Sequence, residues 1–178
     1  MRWHCACIDV DETLYNYSQP LYESFISDGL TVGPPEEWNC WDYIYPDYMT
    51  KEQATKHFDL VHQRQLEFEP YKEARDFLQW ACNNYYVVIT SHRKPEREGV
   101  LKEWLKRNNL VFDELCVCQD KTEMFNKAIF RLVVDDNPYI LKAAAEKGIR
   151  AVGLRKPWNV NHVDKKIELY DTLEEIWK

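Results

Sequence analysis

Residues 5–13, with the sequence CACIDVDET, join a short apolar run to two aspartates that stand two positions apart. Residues 3–10 are predicted to form a short buried strand, which delivers Asp9 and Asp11 at its carboxyl end. In an open parallel α/β sheet, ligands bind at that edge. Thr13 can hydrogen-bond the backbone of the turn that follows. Taken alone, the segment is equally compatible with a solvated acidic loop.

Two further apolar runs end in reactive side chains. The run over residues 86–91 ends in Thr90 and Ser91, and a second β-branched run is followed by Asp135 and Asp136. All of these groups stand at the carboxyl ends of predicted strands, the edge at which open α/β sheets bind ligands. Three such strand ends in one short chain favour a functional site over three unrelated loops.

Together with a downstream lysine, these segments resemble the four motifs of the haloacid dehalogenase (HAD) superfamily of Mg²⁺-dependent phosphohydrolases. The resemblance extends from about residue 5 to residue 155. Within the superfamily, the stretches over residues 67–91, 120–122 and 134–136 are similar to the 5′(3′)-deoxyribonucleotidases. Glu12 stands where many members carry glycine, a change that leaves the chemically active positions intact.

The resemblance implies an α/β, Rossmann-like three-layer fold with a parallel central sheet and a small helical cap inserted after the first strand. Strand and helix patterns alternate in the second part of the chain, which independently favours a parallel sheet covered on both faces. Residues 15–69 lack this alternation and are assigned to the cap, and residues 1–14 and 70–178 to the HAD-like core. A helix over residues 50–68 is the clearest cap element, and residues 150–154 are the last predicted strand.

Capping residues mark several predicted helix boundaries. Thr50 with Gln53 forms a possible capping box. Asn137 and Gly148 bracket a helix at its N-terminus and just past its C-terminus. A helix over residues 171–178 is expected to close the chain.

The two aspartates of the first motif suit phosphoryl transfer. Asp9 is the expected nucleophile, because a carboxylate can attack phosphorus and form an aspartyl-phosphate. Asp11 is the expected general acid, which protonates the leaving oxygen and later deprotonates the attacking water. A simple dehalogenase would not need this second acid, so phosphate chemistry is favoured over dehalogenation.

Phosphate binding is assigned to Thr90, Ser91 and a lysine. Hydroxyl and free N–H groups ahead of a helix bind phosphate readily, although ordinary N-capping is the competing role for these hydroxyls. Lys121 best matches the nucleotidase pattern and, by that resemblance, would neutralise the phosphate and Asp9. Lys127 is the alternative lysine.

A cation is needed between a carboxylate nucleophile and a phosphate, because the two anions repel each other. Mg²⁺ suits a site built from carboxylates, water and substrate phosphate. By the resemblance, Asp9, the backbone carbonyl of Asp11 and one carboxylate of Asp135 and Asp136 hold the metal. Helix capping competes as a role for the last two, but Asn137 already fills the cap position.

The cap is rich in aromatic residues, and most of these are expected to form its own small core. A nucleotide phosphatase also needs a flat apolar surface for the base, on which stacking is worth about 1–3 kcal/mol. Tyr17, Trp38 and Trp41 are the candidates for this contact.

Composition limits the classes of partner. The net charge is −7, which argues against a broad surface for long nucleic acids. No apolar stretch approaches the roughly 20 residues of a membrane span, and the N-terminal residues do not begin a signal peptide, so a soluble cytoplasmic protein is expected. The six cysteines lack zinc-site spacing and are expected to be buried thiols. No role is assigned to His4, His57, His62 or His162.

These observations predict a Mg²⁺-dependent phosphomonoesterase with a small phosphorylated substrate, foremost a (deoxy)nucleoside monophosphate cleaved by 5′-nucleotidase chemistry. One alternative is a phosphatase for another small metabolite or for a nucleic-acid 3′ end. An alternative of another class is a catalytically idle binding protein that keeps the HAD fold.

Overall fold

The structure is a computed structural model that describes residues 4–39, 41, 49–118, 120–127, 129–162 and 165–178. Residues 1–3 of the predicted core domain and residues 42–48 of the predicted cap lie outside the described residues. Within the described part of the chain, no helix has the length and apolar character needed to cross a membrane.

The centre of the molecule is a six-stranded parallel sheet with strand order β3-β2-β1-β4-β5-β6. The strands are β1 (Cys5–Asp9), β2 (Tyr86–Ser91), β3 (Glu114–Val117), β4 (Phe130–Val134), β5 (Arg150–Leu154) and β6 (Ile167–Tyr170). This order belongs to the doubly wound class predicted from the sequence. Strand β1 lies between β2 and β4, so the three strands that carry the reactive motifs are neighbours.

Five α-helices surround and extend the sheet in the described part of the chain: α1 (Ser18–Ser27), α2 (Lys51–Gln63), α3 (Ala74–Asn84), α4 (Glu98–Arg107) and α5 (Pro138–Glu146). Alternate residues of β1 enter two separate cores, because successive side chains of a strand point to opposite faces. Ala6 and Ile8 pack in the core that contains α3 and α4, and Cys5 and Cys7 pack in the core that contains α5. The predicted three layers and the burial of these two thiols are therefore confirmed. Cys82, Cys116 and Cys118 are only half-buried, so the expectation of buried thiols is wrong for them, and Cys40 lies outside the described residues.

The helical cap predicted after the first strand is present. Helices α1 and α2 pack together and contribute to a third apolar cluster that contains Leu21, Phe25, Ala54 and Val61. Trp158, which follows β5 in the core, also belongs to this cluster. The predicted capping box begins α2: the Thr50 hydroxyl accepts from the Gln53 N–H at 3.2 Å, and the Gln53 side chain accepts from the Thr50 N–H at 2.8 Å.

Three boundaries differ from the sequence prediction. Strand β6 was not predicted, because it is a short edge strand that is only half-buried and has a weak apolar signal. The closing helix over residues 171–178 is a 3₁₀ turn at Leu173–Ile176. The cap helix predicted over residues 50–68 ends as an α-helix at Gln63.

Candidate active site

A cavity of about 620 Å³ lies between the carboxyl edge of the sheet and the cap. Carboxylates and lysine from the core form one wall, and aromatic side chains of the cap form another. The lining includes Asp9, Asp11, Lys121, Asp135 and Asp136, all of which were selected from the sequence. The cavity therefore brings these five residues together from three separate chain segments.

Three buried carboxylates form a cluster at the inner end of this cavity. Asp9 is the last residue of β1, and Asp135 and Asp136 directly follow β4. Each offers one oxygen atom within 4.8 Å of the others. No other group of three or more possible ligands from His, Cys, Asp or Glu is found among the residues that the structure describes.

Lys121 is the lysine that the fold brings to the cluster. Its side chain is 7% exposed, and its ammonium group donates to Asp9 Oδ1 and, at 2.9 Å, to Asp135 Oδ2. Burial by itself would lower the pKa of Lys121, but Asp135 and Asp9 raise this pKa well above its usual value. Lys127 is exposed at the end of the same 3₁₀ turn. The structure thus places Lys121 and not Lys127 beside the carboxylates.

The cluster places three carboxyl groups beside a single lysine, so ionising all three would leave more negative charge than Lys121 offsets. Burial raises the pKa of Asp9 to about 8. The charge of Lys121 opposes this increase, and the charges of Asp135 and Asp11 add to it. Burial and the carboxylates of Asp135 and Asp9 raise the pKa of Asp136 well above its usual value. Crowded oxygen ligands with an excess of negative charge are the donor set that fits Mg²⁺.

Asp11 lies in a separate network of donors. Its carboxylate accepts hydrogen bonds from the Tyr15 hydroxyl at 2.9 Å, from His62 Nε2 at 3.0 Å and from Arg93 Nη2 at 3.1 Å. Burial alone would raise the pKa of Asp11, but Arg93, His62 and the hydrogen bonds hold that pKa well below its usual range. Asp11 is therefore ionised in this arrangement.

Arg93 joins this network to the cap. Its side chain is fully buried; Nε donates to Ser91 Oγ at 2.7 Å, and Nη1 donates to Gln65 Oε1 at 2.5 Å. The sequence patterns gave Arg93 no individual role, and none was assigned to His62. The signal for Arg93 was its position directly after the second motif. His62 had no local signal, because its contact with Asp11 depends on how the cap folds over the core.

The two hydroxyls at the end of β2 point in different directions. The Ser91 hydroxyl lies 3.4 Å from Asp11 Oδ2, within the Arg93 network. The Thr90 hydroxyl lies 3.4 Å from the Ile8 carbonyl oxygen and 3.3 Å from Cys7 Sγ. Neither residue caps a helix, since the next helical turn begins at Pro95. Phosphate binding by Thr90 and Ser91 stays a prediction.

Glu12 adopts the left-handed backbone conformation, with φ of 60°. This conformation explains why glycine suits the position. The buried Glu12 carboxylate accepts from the Ser18 N–H and, at 2.5 Å, from Lys156 Nζ. Lys156 also donates to the Tyr71 hydroxyl at 3.0 Å. Burial would lower the pKa of Lys156, but Glu12 and Tyr71 raise it above its usual value.

The three aromatic candidates all line the cavity, but they are held differently. Trp38 is 4% exposed and its indole N–H donates to the Gly33 carbonyl at 2.9 Å, as expected of a cap core residue. Trp41 is half-buried, and its ring lies edge-on to Trp158 at 6.4 Å. The ring of Tyr17, also half-buried, lies 5.1 Å from the His62 ring.

No protein-family model and no curated protein matches this sequence. Solved structures do match its fold. A HAD-like hydrolase from Streptococcus pneumoniae is 15% identical, with a TM-score of 0.67 over 97% of this chain and 96% of the other. The HAD hydrolase YfnB from Bacillus subtilis, solved bound to magnesium, is 15% identical, with a TM-score of 0.64 over 99% of this chain and 98% of the other.

A third match is CbbY from Rhodobacter sphaeroides, solved in complex with xylulose-(1,5)bisphosphate. It is 15% identical to this chain, with a TM-score of 0.62 over 99% of this chain and 97% of the other. At such identities, the matches show the fold. The chain has the α/β fold of HAD-like hydrolases, with a helical cap after β1 and a buried carboxylate cluster at the carboxyl edge of the sheet.

Proposed function

We propose that this protein is a Mg²⁺-dependent phosphomonoesterase that acts through an aspartyl-phosphate on Asp9. The observation that carries the proposal is the buried cluster of Asp9, Asp135 and Asp136 with Lys121 between two of its members. Nothing in a purely structural role requires three buried carboxylates within 4.8 Å of one another. Such an arrangement destabilises a protein unless a ligand uses it.

Asp9, the backbone carbonyl of Asp11 and the carboxylates of Asp135 and Asp136 are the groups that would hold Mg²⁺. When bound, Mg²⁺ supplies positive charge that offsets the repulsion between these carboxylates and a substrate phosphate. Lys121 holds Asp9 Oδ1 by a hydrogen bond and thereby orients the carboxylate for attack on phosphorus.

Asp11 serves as the acid and then as the base. In the Arg93 network Asp11 is ionised, which is the form that can take a proton from the attacking water in the second step. In the first step it must carry a proton to the leaving oxygen. A substrate phosphate that pairs with Arg93 removes the strongest cation from Asp11 and so raises its pKa for that step.

The reaction is tested with a small aryl phosphate, by following release of the phenol with and without Mg²⁺. We expect turnover that is abolished by a chelator and restored by Mg²⁺ or Mn²⁺. Asp9→Asn keeps the size of the side chain but removes the nucleophile, so activity should fall to background while the unfolding temperature is retained. Asp171→Asn, which alters an exposed carboxylate that does not line the cavity, should remain active.

The outcomes separate the rivals. Substantial turnover by Asp9→Asn would contradict the covalent mechanism, and full activity after exhaustive chelation would contradict the metal site. Absence of turnover in the wild-type protein on every phosphate ester, with intact ligand binding, would favour the idle binding protein. Activity on a haloacid without activity on phosphate esters would favour dehalogenation.

We further propose a (deoxy)nucleoside monophosphate as substrate. A volume of about 620 Å³ falls within the range of cavities that enclose small-molecule ligands. Tyr17, Trp38 and Trp41 of the cap line the same cavity as the carboxylates, and aromatic rings there offer a surface on which a base can stack. A panel of nucleotides, sugar phosphates and a nucleic-acid 3′-phosphate discriminates this proposal from its alternatives.

Trp41 is the best stacking candidate, because Trp38 lies in the cap core and the ring of Tyr17 already packs against other rings, those of Tyr15, Phe58 and His62. Replacing Trp41 by Ala should lower kcat/KM for a nucleotide by about one to two decades. Hydrolysis of an aryl phosphate, which lacks a base, should change much less. Equal loss of both activities would show that Trp41 holds the cap together and would remove the main support for a nucleotide.

A further inference from the structure

We propose that the loop after β5, residues 156–159 with the sequence KPWN, positions Asp136 for metal binding, with Trp158 as the main positioning residue. This inference rests on the proposed function, since it takes Asp136 as a carboxylate of the metal site. No role was predicted for this loop from the sequence. The loop is far from the catalytic motifs in sequence and meets them only in the folded chain.

Two consecutive residues of the loop hold Asp136 from two sides. The Trp158 indole N–H donates to Asp136 Oδ2 at 3.0 Å. Asn159 Nδ2 donates to the Asp136 carbonyl oxygen at 3.1 Å and to the Leu154 carbonyl oxygen at 2.9 Å. Both the side chain and the backbone of Asp136 are thereby fixed, so its carboxylate cannot rotate without losing a hydrogen bond.

Burial makes this hydrogen bond important. Trp158 is 5% exposed and Asp136 is 3% exposed, so neither group can exchange its partner for bulk water. The charged neighbours of Asp136 include Asp135 and Asp9, which repel its carboxylate. Lys121 donates hydrogen bonds to Asp9 and Asp135, and Trp158 donates one to Asp136. The indole N–H is neutral, so the hydrogen bond to Asp136 adds no positive charge to the site.

The indole ring is itself held by the cap. Its centroid lies 6.5 Å from that of Trp38 and 6.4 Å from that of Trp41. Within the loop, Asn159 Oδ1 accepts from the Lys156 N–H at 2.9 Å. These contacts hold the indole ring in place, and with it the N–H that donates to Asp136. Groups that orient metal ligands in this way typically contribute 10- to 100-fold to metal affinity or activity.

The test compares Mn²⁺ binding, followed by electron paramagnetic resonance or calorimetry, in the wild-type protein and in Trp158→Phe. Phenylalanine keeps an aromatic ring in the cap cluster but is smaller than the indole and lacks its N–H donor, and the Trp104→Phe control below undergoes the same loss of size. We expect the Kd for Mn²⁺ to rise about 10-fold. Trp104→Phe is the matched control: its indole N–H donates to the Phe68 carbonyl at 2.6 Å, so it also loses a buried donor, but not one to a metal-site carboxylate. Its Mn²⁺ affinity should be unchanged.

Two further variants keep the proposal testable if Trp158→Phe unfolds. Asn159→Ala releases the Asp136 carbonyl and should weaken Mn²⁺ binding less than Trp158→Phe does. Asp136→Asn should weaken Mn²⁺ binding, and adding Trp158→Phe to it should have little further effect, because Trp158 acts through Asp136. Circular dichroism and thermal unfolding identify any variant that has lost its fold.

The results distinguish this inference from the proposed function. If Trp158→Phe and Asn159→Ala bind Mn²⁺ as tightly as the wild-type protein, the positioning role is wrong and the metal site stands. If the effects of Trp158→Phe and Asp136→Asn are additive, Trp158 acts through another route, and the inference is again wrong. If the wild-type protein binds no Mn²⁺, the proposed function fails and this inference fails with it.

Discussion

Lys121 allows two carboxylates to be buried side by side, because its ammonium group donates to both Asp9 and Asp135. Replacing Lys121 by Met keeps much of the side-chain length but removes the charge. We expect kcat to fall by about 100- to 1,000-fold, as when a preorganised donor is removed from an active site. Phosphatase assays on folded protein, checked by circular dichroism, measure this loss.

Lys127→Met is the control for that variant, since Lys127 belongs to the same 3₁₀ turn but is exposed. Its activity should equal that of the wild-type protein. The reverse pattern, with Lys127→Met inactive and Lys121→Met active, would show that the wrong lysine has been placed at the phosphate.

The contacts of the Glu12 side chain offset the cost of its left-handed backbone conformation. A left-handed conformation costs a residue other than glycine about 1–2 kcal/mol. The Glu12 carboxylate accepts hydrogen bonds from the Ser18 N–H and from the Lys156 ammonium group. It therefore links the loop after β1 to the cap and to the loop after β5.

Lys156→Met should therefore lower the free energy of unfolding by about 2–4 kcal/mol, because it leaves the Glu12 carboxylate buried without its cation. Adding Glu12→Gly should restore part of the loss, since glycine adopts positive φ freely and brings no charge. Urea denaturation measures both effects. Lys178→Met, which breaks an exposed ion pair, should leave stability unchanged. A Lys156→Met protein as stable as the wild type would contradict this account.

Asp59 of helix α2 forms ion pairs with two basic residues of the core, Lys94 and Arg97. Its carboxylate accepts from Arg97 Nε at 2.7 Å and from Lys94 Nζ at 3.0 Å. Hydrogen bonding to Arg97, only partly opposed by burial, lowers the pKa of Asp59 to about 2. Because the pKa is lower in the folded state, this contribution to stability is present above the unfolded-state pKa of roughly 4 and is lost as the pH falls toward 2.

Asp59→Asn should thus destabilise the protein by about 1 kcal/mol at pH 7, a value that allows for solvent screening of a partly exposed pair. The difference between the variant and the wild-type protein should shrink between pH 5 and pH 3. Urea denaturation at several pH values measures the destabilisation at pH 7 and its decrease at lower pH. A difference that stays constant over this range would mean that charge does not hold α2 to the core.

At the scale of the whole molecule, features set by residues close together in the sequence could be predicted, and features set by contacts between distant residues could not. Strands β1, β2 and β4 are marked by their own apolar runs, and α5 by its cap residues, so local patterns were sufficient. Strand β6 depends on pairing with β5 and has little signal of its own. His62 lies 51 positions from Asp11, and Trp158 lies 22 positions from Asp136. Such contacts are set by tertiary packing, which no local pattern records.

The carboxylate cluster should also govern the stability of the whole fold. Burial is the main reason that the pKa of Asp136 is raised, followed by the charges of Asp135 and Asp9. Since the folded state binds this proton more tightly than the unfolded state, the metal-free protein loses stability as the pH rises above about 4. Asp136→Asn removes the charge at nearly constant size and leaves an oxygen that can accept from Trp158.

We therefore expect the free energy of unfolding of metal-free Asp136→Asn at pH 7.5 to exceed that of the metal-free wild-type protein by about 1–2 kcal/mol. Mg²⁺ should reverse the order: at 100 times its Kd, a ligand that binds only the folded state adds about 2.7 kcal/mol, and the variant should gain much less. Urea denaturation in chelator and in Mg²⁺ measures both terms, with Asp171→Asn as the exposed-carboxylate control. A variant that is less stable than wild type in chelator, or that gains as much from Mg²⁺, would show that Asp136 is a structural residue and that the site holds no metal through it.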